Sequence, residues 1–395
     1  MLADRIAEVQ ESLRREGVDG WLFHCFHQID PISLDLLGIP RGKLISRRCY
    51  YLVPSEGEPR KLVHALEPAM LDHLPGARRE YLTWQSHRQE MSELVAGCSK
   101  VAGQYSSGNA LPSLSWLDAG TAELIRDAGS ELVSSAELVQ EFAAVWSDEQ
   151  LATHRRAAVQ LRETVHAAFS HIGEALKAGR PIDEYAVQSF ILERFEQGAL
   201  HAEDAPIVGV NANAADPHYQ PGPDRSAPIT EGDFVLIDLW AKEKRSGSVY
   251  ADITWCGVCA ESPQARHAEL FAVATAARDA ALDLLRSRWP REAVAGYELD
   301  DACRAVIVAA GYGERFIHRT GHSIGMEVHG HGANLDNLET HDTRRLRAMT
   351  GFSVEPGIYL PGDFGVRTEV DVALTADAVE VTGGEPQREL IRILG

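Results

Sequence analysis

Apolar residues recur at helical spacing from the start of the chain: Leu2, Ile6, Val9 and Leu13, with Gly17 as a stop, predict an amphipathic helix. Two short apolar runs follow, Gly20 to His24 and Arg48 to Val53, and Pro54 and Gly57 close the second; both read as strands. Short apolar runs alternate with helical stretches to about Phe142, which predicts a mixed α/β domain without a clear chemical motif. The pattern changes near Trp146-Ser147. Ser147 and Gln150 form a capping box, and a stripe of Leu151, Ala158, Leu161, Val165, Phe169, Ile172 and Leu176 predicts a long helix to Gly179. A second helix is expected from Ile182-Asp183 to Gly198, and the rest of the chain is richer in strands and Gly/Pro turns. The expected domains are therefore 1–146 and 147–395, both α/β (α+β) in class.

The 395 residues are 45% hydrophobic and 24% charged, ordinary globular values that exclude disordered and collagen-like classes. A formal net charge of −20 argues against nucleic acid or an anionic membrane as partner. No apolar run approaches the roughly 18–20 residues of a membrane span, and the first residues lack a signal-peptide pattern. A cytoplasmic chain is expected. The six cysteines are scattered, as in a reducing compartment. Cys256 and Cys259 match C-x-x-C, but they fall in a strand-like run where positions three apart face opposite ways, and no second such pair exists.

The chemistry lies in carboxylates that interrupt strand-like segments. Asp238 sits in Phe234–Trp240, Asp252 in Tyr250–Trp255, Glu355 in Phe352–Leu360, and Glu369 in Gly365–Val372. In the last, Val366, Thr368, Val370 and Val372 alternate with Arg367, Glu369 and Asp371. Asp and Glu are rarely buried unless paired or ligated. Any one of the four is explained by an ion pair or an edge strand. Four together, with Arg367 as the one base inside these strands, call for a shared cause, and two divalent cations would cancel their charge. His322, flanked by Gly321 and by Ser323-Ile324-Gly325, is the imidazole candidate. Oxygen-rich ligation with one imidazole suits Mn²⁺, Co²⁺ or Zn²⁺. His329 and His218 are candidates for poising protons or holding a substrate nearby. Gly321 to Gly325 also satisfies G-x-S-x-G, the nucleophile elbow, but that motif needs a strand before and a helix after it. Here His318-Arg319-Thr320 precedes it and a glycine-rich stretch follows.

These residues resemble the pita-bread metallopeptidases, specifically the Xaa-Pro dipeptidases (prolidases) and Xaa-Pro aminopeptidases. The resemblance rests on Thr-Gly-His-x-Ile-Gly at 320–325, Val-Glu-Pro-Gly-Ile-Tyr at 354–359, Val-Arg-x-Glu at 366–369, and the order of the five candidate ligands. It implies a creatinase/prolidase-type α/β domain followed by a pita-bread catalytic domain. It also implies two divalent ions, Mn²⁺ first with Co²⁺ or Zn²⁺ as alternatives, held by Asp238, Asp252, His322, Glu355 and Glu369, with Asp252 and Glu369 bridging. Glu355 would also take a proton from the attacking water. His218 and His329 would contact the substrate and the developing oxyanion, and Arg367 would orient a ligand carboxylate. The implied substrate is a small peptide with proline in second position, and the implied assembly a homodimer. A dipeptidase is favoured, with an Xaa-Pro aminopeptidase, a non-peptide amidohydrolase and a non-catalytic binding module as the other readings. A dipeptidase needs a cation for the substrate carboxylate, for which Arg319, Arg344, Arg345 and Arg347 are candidates. Two features depart from the family: the 14-residue step from Asp238 to Asp252, read as an extended hairpin loop over Lys242–Gly247, and the segment Gly330–Asn334.

Overall fold

The computed structural model describes residues 2–395, with side chains from Asp4 on, so the Leu2 side chain of the first helical stripe lies outside the described residues. The chain divides into two compact units, up to Ala143 and from Ala144. Trp146 belongs to the second, where it packs with Leu151, Val249, Tyr250, Ile324 and Ala373.

The first unit is a mixed sheet of β1 (Gly20–Cys25), β2 (Cys49–Pro54), β3 (Arg60–His64), β4 (Ala77–Tyr81), β5 (Lys100–Gly103) and β6 (Glu131–Ser134), in the order β4-β3-β2-β1-β5-β6. Helices α1 (Ile6–Glu16), α2 (Pro31–Leu37), α3 (Trp84–Leu94), α4 (Ala119–Asp127) and α5 (Ala136–Val139) accompany it. Alternate residues of β1 enter different cores. Trp21 and Phe23 pack with Val9 and Leu13 of α1, while Leu22 packs with Met91 and Leu94 of α3. A sheet buried on both faces needs apolar side chains in both directions, which explains the continuous apolar run of β1.

The second unit opens with α6 (Asp148–Lys177), and Ser147 and Gln150 form the expected capping box. Helix α7 (Glu184–Gln197), capped by Asp183, follows. Then come β7 (Leu200–His201), β8 (Ile207–Val210), β9 (Phe234–Glu243), β10 (Ala251–Val258), α8 (Ala265–Arg288), α9 (Gly296–Ala309), β11 (Ser323–Ile324), β12 (Thr350–Val354), β13 (Gly357–Leu360), β14 (Phe364–Arg367), β15 (Val370–Leu374), β16 (Val379–Val381) and β17 (Ile391–Arg392). β10 and β9 form the centre of one sheet, β11-β12-β15-β16 a second, and β13-β14 a hairpin.

Three expectations are corrected. Phe352–Leu360 is two strands, β12 and β13, with Glu355-Pro356 between them; proline cannot donate to a ladder. Gly365–Val372 is likewise β14 and β15, broken at Thr368-Glu369, because β14 pairs with β13 whereas β15 pairs with β12. Lys242 and Glu243 are not loop: they extend β9 and pair with β7, so the connection to β10 starts at Lys244. Cys256, in β10, and Cys259, just past its end, enter different hydrophobic cores. No helix follows Ser323, which lies in the two-residue strand β11 and accepts the Gly332 amide, so the nucleophile elbow is absent.

Candidate metal centre

The register of β9 and β10 sets Asp238 opposite Thr254 and Trp240 opposite Asp252. Residues two apart share a face, so both carboxylates project to one side of the sheet. The other face carries Ile237, Leu239, Ile253 and Trp255 into a core with α6 and α7. Glu355 and Glu369 come from the two strand breaks, where the backbone leaves one sheet for another. His322 directly precedes β11, and its amide donates to Ser353 Oγ at 3.0 Å.

Ligand atoms of Asp252, His322 and Glu369 lie within 4.8 Å of one another. His322 Nε2 is 3.6 Å from Asp252 Oδ2 and 3.5 Å from Glu355 Oε1, too long for hydrogen bonds. Asp238 is held differently. Arg367 Nη2 donates to its Oδ2 while Nε donates to Thr254 Oγ1 at 3.0 Å and Nη1 to Tyr359 Oη at 3.1 Å. Arginine only donates, so the Thr254 hydroxyl proton is directed to Glu369 Oε2, 2.7 Å away. Asp238, Asp252, His322, Arg367 and Glu369 are all buried.

Burial, then the charges of Asp238 and Glu355, push the Asp252 carboxyl well above its ordinary range. Burial and Asp252 do the same to Glu369. Burial opposes the Arg367 charge, yet Tyr359, Asp238 and Glu355 together hold it well above the usual range. Burial lowers His322. His329 stands edge-on to that ring, centroids 4.4 Å apart, and the His322 charge followed by burial brings it down to about 3.

Asp238 Oδ1 and Asp252 Oδ1 are buried without a hydrogen-bond partner. Unpaired buried carboxylate oxygens are costly, and a cation satisfies several at once. The donor set, carboxylate oxygens and one imidazole, fits hard or borderline divalent ions. These groups open onto a cavity of about 980 Å³ that His218, His329 and Arg319 also line. Arg344 is buried and paired with Asp342 instead; neither it nor Arg345 nor Arg347 lines the cavity.

Sequence reasoning did not single out Thr254, Tyr359 and His318. Tyr359 closes the Val-Glu-Pro-Gly-Ile-Tyr motif, but nothing local marks Thr254, His318 or the contacts the three make: His318 bonds Tyr359 Oη at 2.8 Å across 41 residues of chain. Asp371 was legible as a third charge on the polar side of its strand. Its Oδ2 accepts the Asp252 amide at 2.7 Å, and its Oδ1 is another buried oxygen without a partner.

The chain matches the metallopeptidase family M24 over residues 153–376 and belongs to that family. It is 35% identical over 217 residues to an Xaa-Pro dipeptidase of Lactobacillus delbrueckii subsp. lactis, covering 54% of each chain. To an Xaa-Pro dipeptidase of Lactobacillus helveticus it is 32% identical over 210 residues, 53% of each. The chain thus spans about half the length of the curated relatives it matches. The structure is similar to a dipeptidase from Mycobacterium ulcerans (TM-score 0.72, 23% identity, 99% of this chain and 97% of that one). It is also similar to a prolidase from Pyrococcus horikoshii OT3 (TM-score 0.65, 22% identity, 98% and 100%). These structures share its fold from end to end, an N-terminal α/β domain and a pita-bread domain.

Proposed function

We propose that the protein hydrolyses the peptide bond preceding proline and that its substrates are Xaa-Pro dipeptides. The observation that carries this reading is the meeting of buried, partly unpaired carboxylates with one imidazole at a cavity whose wall includes Arg319. The family match and the names of the two Lactobacillus relatives support it. Asp238, Asp252, His322, Glu355 and Glu369 would hold two divalent cations, Mn²⁺ first with Co²⁺ or Zn²⁺ as alternatives, which when bound would supply water activation and carbonyl polarisation. Glu355, which accepts from Ser353 Oγ at 3.2 Å, takes up the proton of the attacking water. His329, kept neutral beside His322, donates to the developing oxyanion, and His218, which lines the same cavity, holds the substrate. Arg367 orients Asp238 directly and Glu369 through the Thr254 hydroxyl.

A bond to proline offers no amide N–H, so recognition must come from the ends of the substrate. Arg319 meets its carboxylate. Its own backbone amide, not its guanidinium, makes the hydrogen bond to Glu339 at 3.2 Å. The enzyme works in the cytoplasm as a homodimer; six unpaired, buried cysteines suit a reducing compartment.

The test is a Mn²⁺-supplemented assay of Ala-Pro against Ala-Pro-Ala, run on the native protein and on Arg319→Gln. Cleavage confined to the dipeptide, with KM raised about tenfold or more and kcat little changed in Arg319→Gln, is expected, because the carboxylate is bound equally before and during reaction. Equal or faster tripeptide turnover would make the enzyme an aminopeptidase, and no turnover of either would refute the proposal.

A further inference from the structure

A second cavity, of about 670 Å³, lies wholly within the first unit. Its buried lining is polar, and its exposed lining mixes apolar side chains with charged ones. His24, Tyr81 and His87 are buried, whereas Leu82 and Trp84 are 67% and 70% exposed. The His24 ring stacks on Tyr50, centroids 5.2 Å apart, and its Nδ1 lies 3.8 Å from Asp118 Oδ2. Its Nε2 is buried and has no hydrogen-bond partner. His87 differs, since its Nε2 meets the Tyr50 hydroxyl at 3.0 Å. Burial lowers His24 to about 4, so the ring is neutral at physiological pH and Nε2 can carry a proton to donate.

The charges around the cavity favour an anion. Arg47 and Arg48 both line it, in a chain whose net charge is −20. Arg48 makes no ion pair within 4.0 Å among the described residues, and its charge acts on His24, Tyr81, His87 and Asp118. The acidic group of the lining, Asp118, is already engaged as the cap of α4, accepting the Thr121 amide at 2.9 Å and its hydroxyl at 2.6 Å. Apolar contact area comes from Trp84 and Trp116. A large, exposed indole beside a guanidinium without a close ion pair and a buried, unpaired ring nitrogen is the composition of a ligand pocket: apolar surface with a few convergent polar groups.

We propose that this cavity binds a small organic anion with a flat aromatic body, its charged group on Arg48 and His24 Nε2 and its ring against Trp84 and Trp116. A carboxylate and a phosphate ester share this chemistry. The proposal is independent of the peptidase reading, because the cavity contains none of the residues assigned to catalysis.

The test is calorimetric titration of the full, metal-loaded chain with hippurate and with phenyl phosphate, using acetate and inorganic phosphate as non-aromatic controls. One site per chain with a sub-millimolar Kd for at least one aromatic anion is expected, and the tighter of the two identifies the charged group. Arg48→Gln and Trp84→Ala, both surface changes, should each weaken it about tenfold or more, and the controls should bind at least about tenfold more weakly than the aromatic anions. Arg319→Gln should leave it unchanged. No saturable binding of either aromatic anion, equal affinity for the controls, binding indifferent to Arg48→Gln or Trp84→Ala, or loss of binding in Arg319→Gln would each overturn the proposal.

Discussion

Asp252 is buried within reach of Asp238, Glu355 and Glu369, so without a cation its charge is opposed from several sides. Asp252→Asn removes that repulsion while keeping the shape. The chelator-treated variant is expected to melt a few degrees above the chelator-treated native protein, since each kcal/mol is worth about 2–4 °C at this size. Added Mn²⁺ should no longer raise its melting temperature, and its activity should fall by orders of magnitude. Equal melting of the two chelated proteins would contradict the repulsion. His24 gives a prediction of the opposite kind, in the first unit. Its folded pKa is about 4 against an ordinary 6.5. The unfolded chain therefore binds the proton first as pH falls, and stability from keeping the ring neutral is complete above 6.5 and lost between 6.5 and about 4. The loss amounts to about 3 kcal/mol at most. Denaturant melts across that interval should show a shallower acid slope for His24→Gln than for the native chain; an unchanged slope would mean the ring is not the titrating group.

At the scale of elements, β9 and β10 are periodic with interruptions, and both features were readable in the sequence. Ile237, Leu239 and Ile253 supply one face, so an Asp on the other stands out as an anomaly. Glu355 and Glu369 were also found, but for a partly mistaken reason. They looked like interruptions of single strands and instead occupy breaks between strands, because the choice of which strand pairs with which is a non-local decision that periodicity does not encode. The Thr254 and Tyr359 bridges were illegible on the same ground, each joining segments brought together only by folding. Close approach of backbones at the break is a further demand. A Cβ on Gly321 would lie 1.9 Å from the Ser353 carbonyl oxygen, in the strand that carries the Glu355 break. Gly321→Ala must push β11 off β12 and move His322 with it. We expect a loss of about 2 kcal/mol or more of stability and weaker Mn²⁺ binding, read by thermal melts with and without the metal; a variant with native melting and native metal response would show that the approach is not needed.

For the whole molecule, no helix among the described residues is long and apolar enough to cross a membrane, and the formal charge is −20. Asp238, Asp252 and Glu369 of the second unit's cluster are buried away from water, and Arg367 pairs directly with Asp238 alone among them. Each unit presents a cavity of its own, one lined by the carboxylate cluster and one by His24 and Arg48. The family match, residues 153–376, falls within the second. The central claim is that distant carboxylates and one imidazole form a seat for a pair of cations. Calorimetric titration of the chelator-stripped native chain with Mn²⁺ tests it most directly. Saturation at two ions per chain, with Glu369→Gln losing at least one of them, is the predicted result; no saturable binding, or the same stoichiometry and affinity in Glu369→Gln, would contradict it.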